Sequence, residues 1–220
     1  LPLNVILFDI LLTTILVGIV FIIVHYVRFN KPTNPNSTTQ SDQSKIKAWI
    51  NAHTDAVYIA IILAVSSSFY IYLSYGALWA ADEQTYSQWA YHMLKTGDYL
   101  RPWAFGGLAT WMGKPPLMMA LMSVSYQIFG VNNFGTRFWS PVFGSLSLVL
   151  MFYLGKKLYN RDVGFWSAIV LTTFVTFFIF ARHAMTDVPL LFFILGSVYF
   201  LLVSETDKRP NLYAALSGVC

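Results

Sequence analysis

Two short stretches of this chain hold acids and bases that could move a proton or steady a phosphate. The first is Asp82-Glu83, at the head of the run Asp82 to Lys95. The second is Arg182-His183-Ala184-Met185-Thr186-Asp187. A carboxylate such as Asp82 could accept a proton from an acceptor hydroxyl, with Glu83 beside it orienting that acceptor. Asp82 also suits a helix N-cap, where acids complement the helix dipole. Asp187 precedes Val188-Pro189, so it reads either as the cap of a helix opened by proline or as a second acid facing Asp82 across a cleft. Lys114 precedes Pro115-Pro116. It is either a lysine snorkelling to a membrane interface or a cation held by rigid prolines for a lipid phosphate. Arg182 would stand near that phosphate. His183 and Asp187 could together ligate a metal, but lone His/Asp pairs are common. No metal and no other cofactor is expected.

The elements that must position these groups are apolar. The chain of 220 residues is 56% hydrophobic and 11% charged, where a soluble domain averages about 25% charged. Crossing the hydrocarbon of a bilayer takes about 20 mostly apolar residues. Runs of that kind lie at 3–26, 56–79, 134–158, 163–181 and 188–204, with the start of another at 212. The expected fold is therefore an all-α integral membrane bundle. Residues 1–27 form an extra N-terminal span and 28–55 a polar cytoplasmic linker. The linker carries the low-complexity run Asn34-Pro35-Asn36-Ser37-Thr38-Thr39-Gln40-Ser41, which cannot pack a core. Residues 56–220 form the main module. The chain opens on Leu1 and ends in an unfinished apolar run, so it reads as part of a longer protein. One cysteine, Cys220, excludes an internal disulfide.

The segment 81–133 is mixed in character. Tyr86, Trp89, Ala90, Met93 and Leu94 share one face of a helix predicted over 83–95, with tyrosine and tryptophan at headgroup level. A second short helix is predicted over 115–129. Its 15 residues would reach about 22 Å, against roughly 30 Å of hydrocarbon, so it lies in the interface rather than crossing. The whole segment then stays outside, and the basic residues sort by side. Arg28, Lys31, Lys45, Lys47, Lys156, Lys157, Arg161, Lys208 and Arg209 fall inside, as the positive-inside bias requires. The net charge of +4 is thus explained by orientation, and nucleic acid is not an expected partner. Lys95, Arg101, Lys114, Arg137 and Arg182 remain outside, free for another role. The spans after residue 55 carry no Asp, Glu, Lys or Arg in their middles. That favours chemistry at the interface over the alternative, a lipid or sugar transporter or flippase, which needs polar groups along a path through the membrane.

Four pieces occur in a fixed order: ADEQTYSQWAYHMLKTGDYLRP, GKPPL, FGVNNFGTRFW and RHAMTD. Together they resemble the polytopic lipid-phosphate-sugar glycosyltransferases of GT-C fold, such as the protein O-mannosyltransferases and the lipid A aminoarabinose transferases. The resemblance runs from about Ala80 to Ser204. It implies the N-terminal part of a multi-span bundle with interfacial helices in its first outer loop. It also implies an active site on the extracytoplasmic side of a plasma, inner or endoplasmic reticulum membrane. The donor would be a polyprenyl- or dolichyl-phosphate sugar and the acceptor a hydroxyl of a protein, lipid or glycan. Asp82 would be the catalytic base with Glu83 beside it, and Asp187 the second acid. Lys114 would hold the carrier phosphate. Arg137 matches a family position, and with Arg182 it is expected on the donor phosphate. Two features depart from the pattern. Residues 1–55 precede the span that is usually first in relatives, and the later spans that choose the acceptor are missing.

Overall fold

In a computed structural model, residues 54–78, 80–100, 103–104, 107–108, 114–207 and 209–220 are described. The expected first span and almost all of the linker lie outside these residues, as does Arg101.

Helix α1 (Thr54–Ser66) runs on as a 3-10 turn, Ser67–Tyr70. The chain then bends through residues 71–78, where Tyr72 takes a left-handed φ of 56°. Helix α2 (Ala80–Thr96) covers the segment expected to be helical at 83–95. Two strands of two residues each, β1 (Trp103–Ala104) and β2 (Gly107–Leu108), pair antiparallel with Trp103 opposite Leu108. All other regular elements among the described residues are helices, as the all-α expectation has it. Helix α3 (Leu117–Phe129) begins just past the two prolines and stops at Gly130, whose φ of 79° a side chain would resist.

Helix α4 (Asn133–Arg137) is capped by Asn132, whose Oδ1 accepts from the Gly135 N–H at 2.8 Å. It leads directly into α5 (Trp139–Leu158). Asn160 caps α6 (Arg161–Thr173) in the same way, accepting from Val163 N–H at 2.9 Å. Helices α7 (Val175–Phe180), α8 (Asp187–Ser204) and α9 (Pro210–Val219) complete the described order.

Two of these helical stretches, Asn133–Leu158 and Asp187–Ser204, are long and apolar enough to cross a membrane. Thr54–Tyr70 is apolar but shorter. The run expected as one helix over 163–181 is divided at Phe174, which turns to an extended ψ of 116°. The cause is local. Thr172 and Thr173 turn their hydroxyls onto the carbonyls of Ala168 and Val170, and such side-chain bonds compete with the helical ladder.

Ile62, Phe69, Leu148, Phe152, Phe165 and Ile169 form the main core, where α1, α5 and α6 meet. Backbones touch where α5 crosses α6. A Cβ on Gly164 would lie 2.3 Å from the Phe152 carbonyl oxygen and 2.8 Å from the Lys156 nitrogen. Neither atom can swing away, so only glycine fits. Gly164→Ala is expected to cost about 1–3 kcal/mol of stability, as overpacking does. A lowered thermal midpoint in detergent would report it, and an unchanged midpoint would mean the two helices slide apart freely.

Helix α5 separates two polar ends. Its 20 residues rise about 30 Å. At its C-terminal end Asp55 pairs with Lys156 and, at 2.8 Å, with Arg161, while the Tyr58 hydroxyl donates to Asp162 at 2.8 Å. At its N-terminal end a second cluster packs α2 and α3 against Ala184 and Met185. The acids and bases singled out in the sequence gather at this second end.

Candidate active site

The second end is organised by a buried ion pair. Glu83, in the first turn of α2, is fully buried, and Arg137, at the end of α4, is 4% exposed. The guanidinium grips the carboxylate with two parallel bonds, Nε to Oε1 at 2.7 Å and one terminal nitrogen to Oε2 at 2.9 Å. Its remaining N–H groups donate to the carbonyls of Leu73 (3.2 Å), Tyr75 (2.9 Å) and Ala77 (2.9 Å). All five donors of the planar fork are thereby used. Asn133 adds a bond from its side-chain amide to the Gly76 carbonyl at 2.6 Å. The bend between α1 and α2 is held by its carbonyl oxygens rather than by its side chains.

Glu83 also reaches the other loop. Its Oε1 accepts the Ala184 N–H at 3.0 Å. One buried carboxylate thus ties the start of α2, the end of α4 and the 182–187 loop together. Glu83 was expected to face an acceptor and Arg137 a donor phosphate. The structure corrects both placements, because the two side chains face each other inside the protein and Arg137 has no N–H left to offer. Arg182 likewise turns inward. It is 6% exposed, sits over the Phe178 ring at 5.4 Å, and donates to the Ile71 carbonyl.

Two exposed acids flank the Glu83–Ala184 bond in the chain: Asp82 precedes Glu83, and Asp187 follows Ala184 by three positions. Asp82 and Asp187 both lie at the surface. Tyr86, one helical turn after Asp82, is buried. Its hydroxyl is held above the ordinary tyrosine value, first by burial and then by the negative charges of Asp82 and Asp187. A hydrogen bond with the Thr186 side chain pulls the other way. Both carboxylates therefore act on one phenol, from two separate stretches of chain. In the sequence Tyr86 counted only as part of an apolar face. Its spacing of four from Asp82 was the available signal.

His183 is buried and takes no place at this surface. Its Nδ1 donates to the Ile179 carbonyl at 2.9 Å, and burial, the largest influence, pushes its imidazole below the ordinary histidine range. A neutral buried imidazole resists protonation, so the folded state binds fewer protons than the unfolded chain as pH drops below the unfolded value of about 6.5. Stability at this site is complete above that pH and declines below it. A thermal midpoint that falls between pH 7 and 5, less so in His183→Gln, is the expected outcome. Among the described residues no group of three or more His, Cys, Asp or Glu side chains could hold a metal ion. Lys114 stands exposed just before α3. No contact joins it to Asp82 or Asp187 among the described residues.

Comparison of the sequence with known proteins finds a family and several relatives. Residues 113–220 match the family described as dolichyl-phosphate-mannose-protein mannosyltransferase. An uncharacterized protein of Aquifex aeolicus is 31% identical over 157 residues, which is 71% of this chain and 31% of that protein. The undecaprenyl phosphate-alpha-4-amino-4-deoxy-L-arabinose arabinosyl transferase 2 of Pseudomonas fluorescens is 30% identical over 148 residues, 65% of this chain and 27% of the relative. A dolichyl-phosphooligosaccharide-protein glycotransferase 1 of Pyrococcus furiosus is 24% identical over 182 residues, 76% of this chain and 19% of the relative. The chain spans less than a third of the length of each of these three relatives. No solved structure shows a significant match.

By these matches the chain is similar to the lipid-phosphate-sugar glycosyltransferases, a mannosyltransferase-like membrane family.

Proposed function

We propose that the full protein moves a sugar from a polyprenyl or dolichyl monophosphate to an acceptor hydroxyl at the extracytoplasmic face of a membrane. The observation that carries this reading is the Glu83–Ala184 bond, which ties the Asp82 and Asp187 loops at the end of the bundle opposite Lys156 and Arg161. In this reading α1, α5, α6 with α7, and α8 cross the bilayer, and α2 and α3 lie at its surface. The donor's isoprenoid tail rests in the lipid, each buried CH₂ contributing about 0.8 kcal/mol.

Asp82 takes the proton of the acceptor hydroxyl as that oxygen attacks the anomeric carbon. The bond from that carbon to the carrier phosphate breaks, and the phosphate leaves with the electron pair. Lys114 meets the charge that develops on it. Asp187 faces Asp82 across the cleft and orients the acceptor. Glu83 and Arg137 act behind the site by holding its two loops together. A monophosphate leaving group matched by a lysine has less need of a divalent metal.

Lys114→Ala tests the phosphate contact. Loss of a charged hydrogen bond is worth about 1.5–3 kcal/mol, so a donor KM raised about 10- to 100-fold is expected. Lys114 is exposed and makes no hydrogen bond or ion pair among the described residues, so abundance should not change. An unchanged donor KM and rate would remove Lys114 from the phosphate site.

A further inference from the structure

On the face of α2 turned away from Tyr86 lies an open groove of about 390 Å³, within the range of small-ligand clefts, about 300–1,000 Å³. One wall is α2, through Ser87, Gln88, Tyr91 and His92, and the other is the turn before α4, through Asn132 and Asn133. None of its lining residues is Asp, Glu, Lys or Arg. A lining without a carboxylate, ammonium or guanidinium suits a ligand that is polar but neutral.

The groove is rigid at its base and open in its chemistry. The Tyr126 hydroxyl and Thr136 Oγ1 are 2.8 Å apart at its floor. Asn132 is committed to the helix cap, and the Asn133 amide nitrogen to Gly76. Gln88 and His92 differ: their side chains make no hydrogen bond among the described residues, and they stand one turn apart on one face. An amide and an imidazole offer donors and acceptors together, the set that matches adjacent hydroxyl groups. Between them in sequence, the Tyr91 ring is held by Lys95, whose ammonium sits 5.5 Å from its centroid. An aromatic face beside amide groups suits the apolar face of a sugar ring.

We propose that this groove binds a neutral carbohydrate, across α2 from the acids. Its assignment to the acceptor side, as a glycan portion beyond the reacting hydroxyl, rests on the transferase reading; the binding itself does not. Thr136 on its floor adjoins Arg137, so an occupied groove touches the same framework that holds Glu83.

Saturation-transfer NMR on the full-length protein in nanodiscs, with maltose and chitobiose as separate probes, tests this directly. At least one disaccharide should bind, and Gln88→Ala with His92→Ala should weaken it about tenfold or more, the loss of one or two hydrogen bonds. Both side chains are at least partly exposed, so the double variant should keep the wild-type thermal midpoint. Tyr91→Phe, which keeps the ring, should bind as wild type does. Absence of saturation transfer, or affinity unchanged in the double variant, overturns the proposal. Saturation transfer to a Ser/Thr peptide that is lost in the double variant, with none to either sugar, would make the groove a peptide site and also overturn it. Asp82→Asn separates the two readings: sugar binding should survive in that variant, and wild-type turnover in it would sink the transferase reading while leaving the groove intact.

Discussion

Asp82→Asn in the full-length protein is expected to lower sugar transfer by about 10²- to 10⁴-fold, the usual share of a positioned general base. The amide keeps the shape of the carboxylate and cannot take a proton. Asp82 is exposed and Glu83, not Asp82, carries the ion pair and the bond to Ala184. Insertion, abundance and thermal midpoint should therefore stay at wild-type values. Transfer from a radiolabelled lipid-phosphate sugar in membranes measures the loss. A wild-type rate would take Asp82 out of the mechanism.

Glu83→Ala should fail in a different way. It leaves the Arg137 guanidinium buried without its counter-charge and the Ala184 N–H without its acceptor. Breaking a buried pair from one side costs about 3–5 kcal/mol. The variant should accumulate poorly and unfold at much lower temperature. Removing both partners, Glu83→Ala with Arg137→Met, relieves the stranded charge. It should recover only part of the loss, because the carbonyls of Leu73, Tyr75 and Ala77 still lose their donors. A double-mutant cycle read by thermal unfolding in detergent gives the coupling. Full recovery would mean that Arg137 serves Glu83 alone and leaves the bend to hold itself.

Much of this framework is legible in the sequence because it follows from local patterns. The apolar periodicity around Tyr86 and Trp89 marked α2, and Pro115-Pro116 with Gly130 bracketed α3. The caps Asn132 and Asn160 come from the structure, since the apolar runs alone do not point to them. The break at Phe174 was hidden, since every residue around it is apolar or threonine and only the hydroxyl bonds of Thr172 and Thr173 betray it.

The site was harder to read than the helices. Charge type pointed to Glu83, Arg137 and Arg182 as functional groups, and burial decided otherwise. Glu83 and Arg137 lie 54 positions apart, so no local pattern links them. A sequence gives no sign that an arginine will be consumed by backbone carbonyls, because those acceptors are present at every residue. Asp82 and Asp187 were expected as a pair from the sequence, but the bond from Ala184 to Glu83 that ties their two loops was not.

Cysteine pairing measures that arrangement most directly. In full-length protein lacking other cysteines, Cys220 included, Asp82→Cys and Asp187→Cys are made singly and together. A membrane-impermeant maleimide applied from the extracytoplasmic side should label both single variants, and a short bifunctional maleimide should bridge the pair. Labelling of Asp187→Cys from the cytoplasmic side alone would place the two acids across the bilayer from each other and contradict a shared cleft.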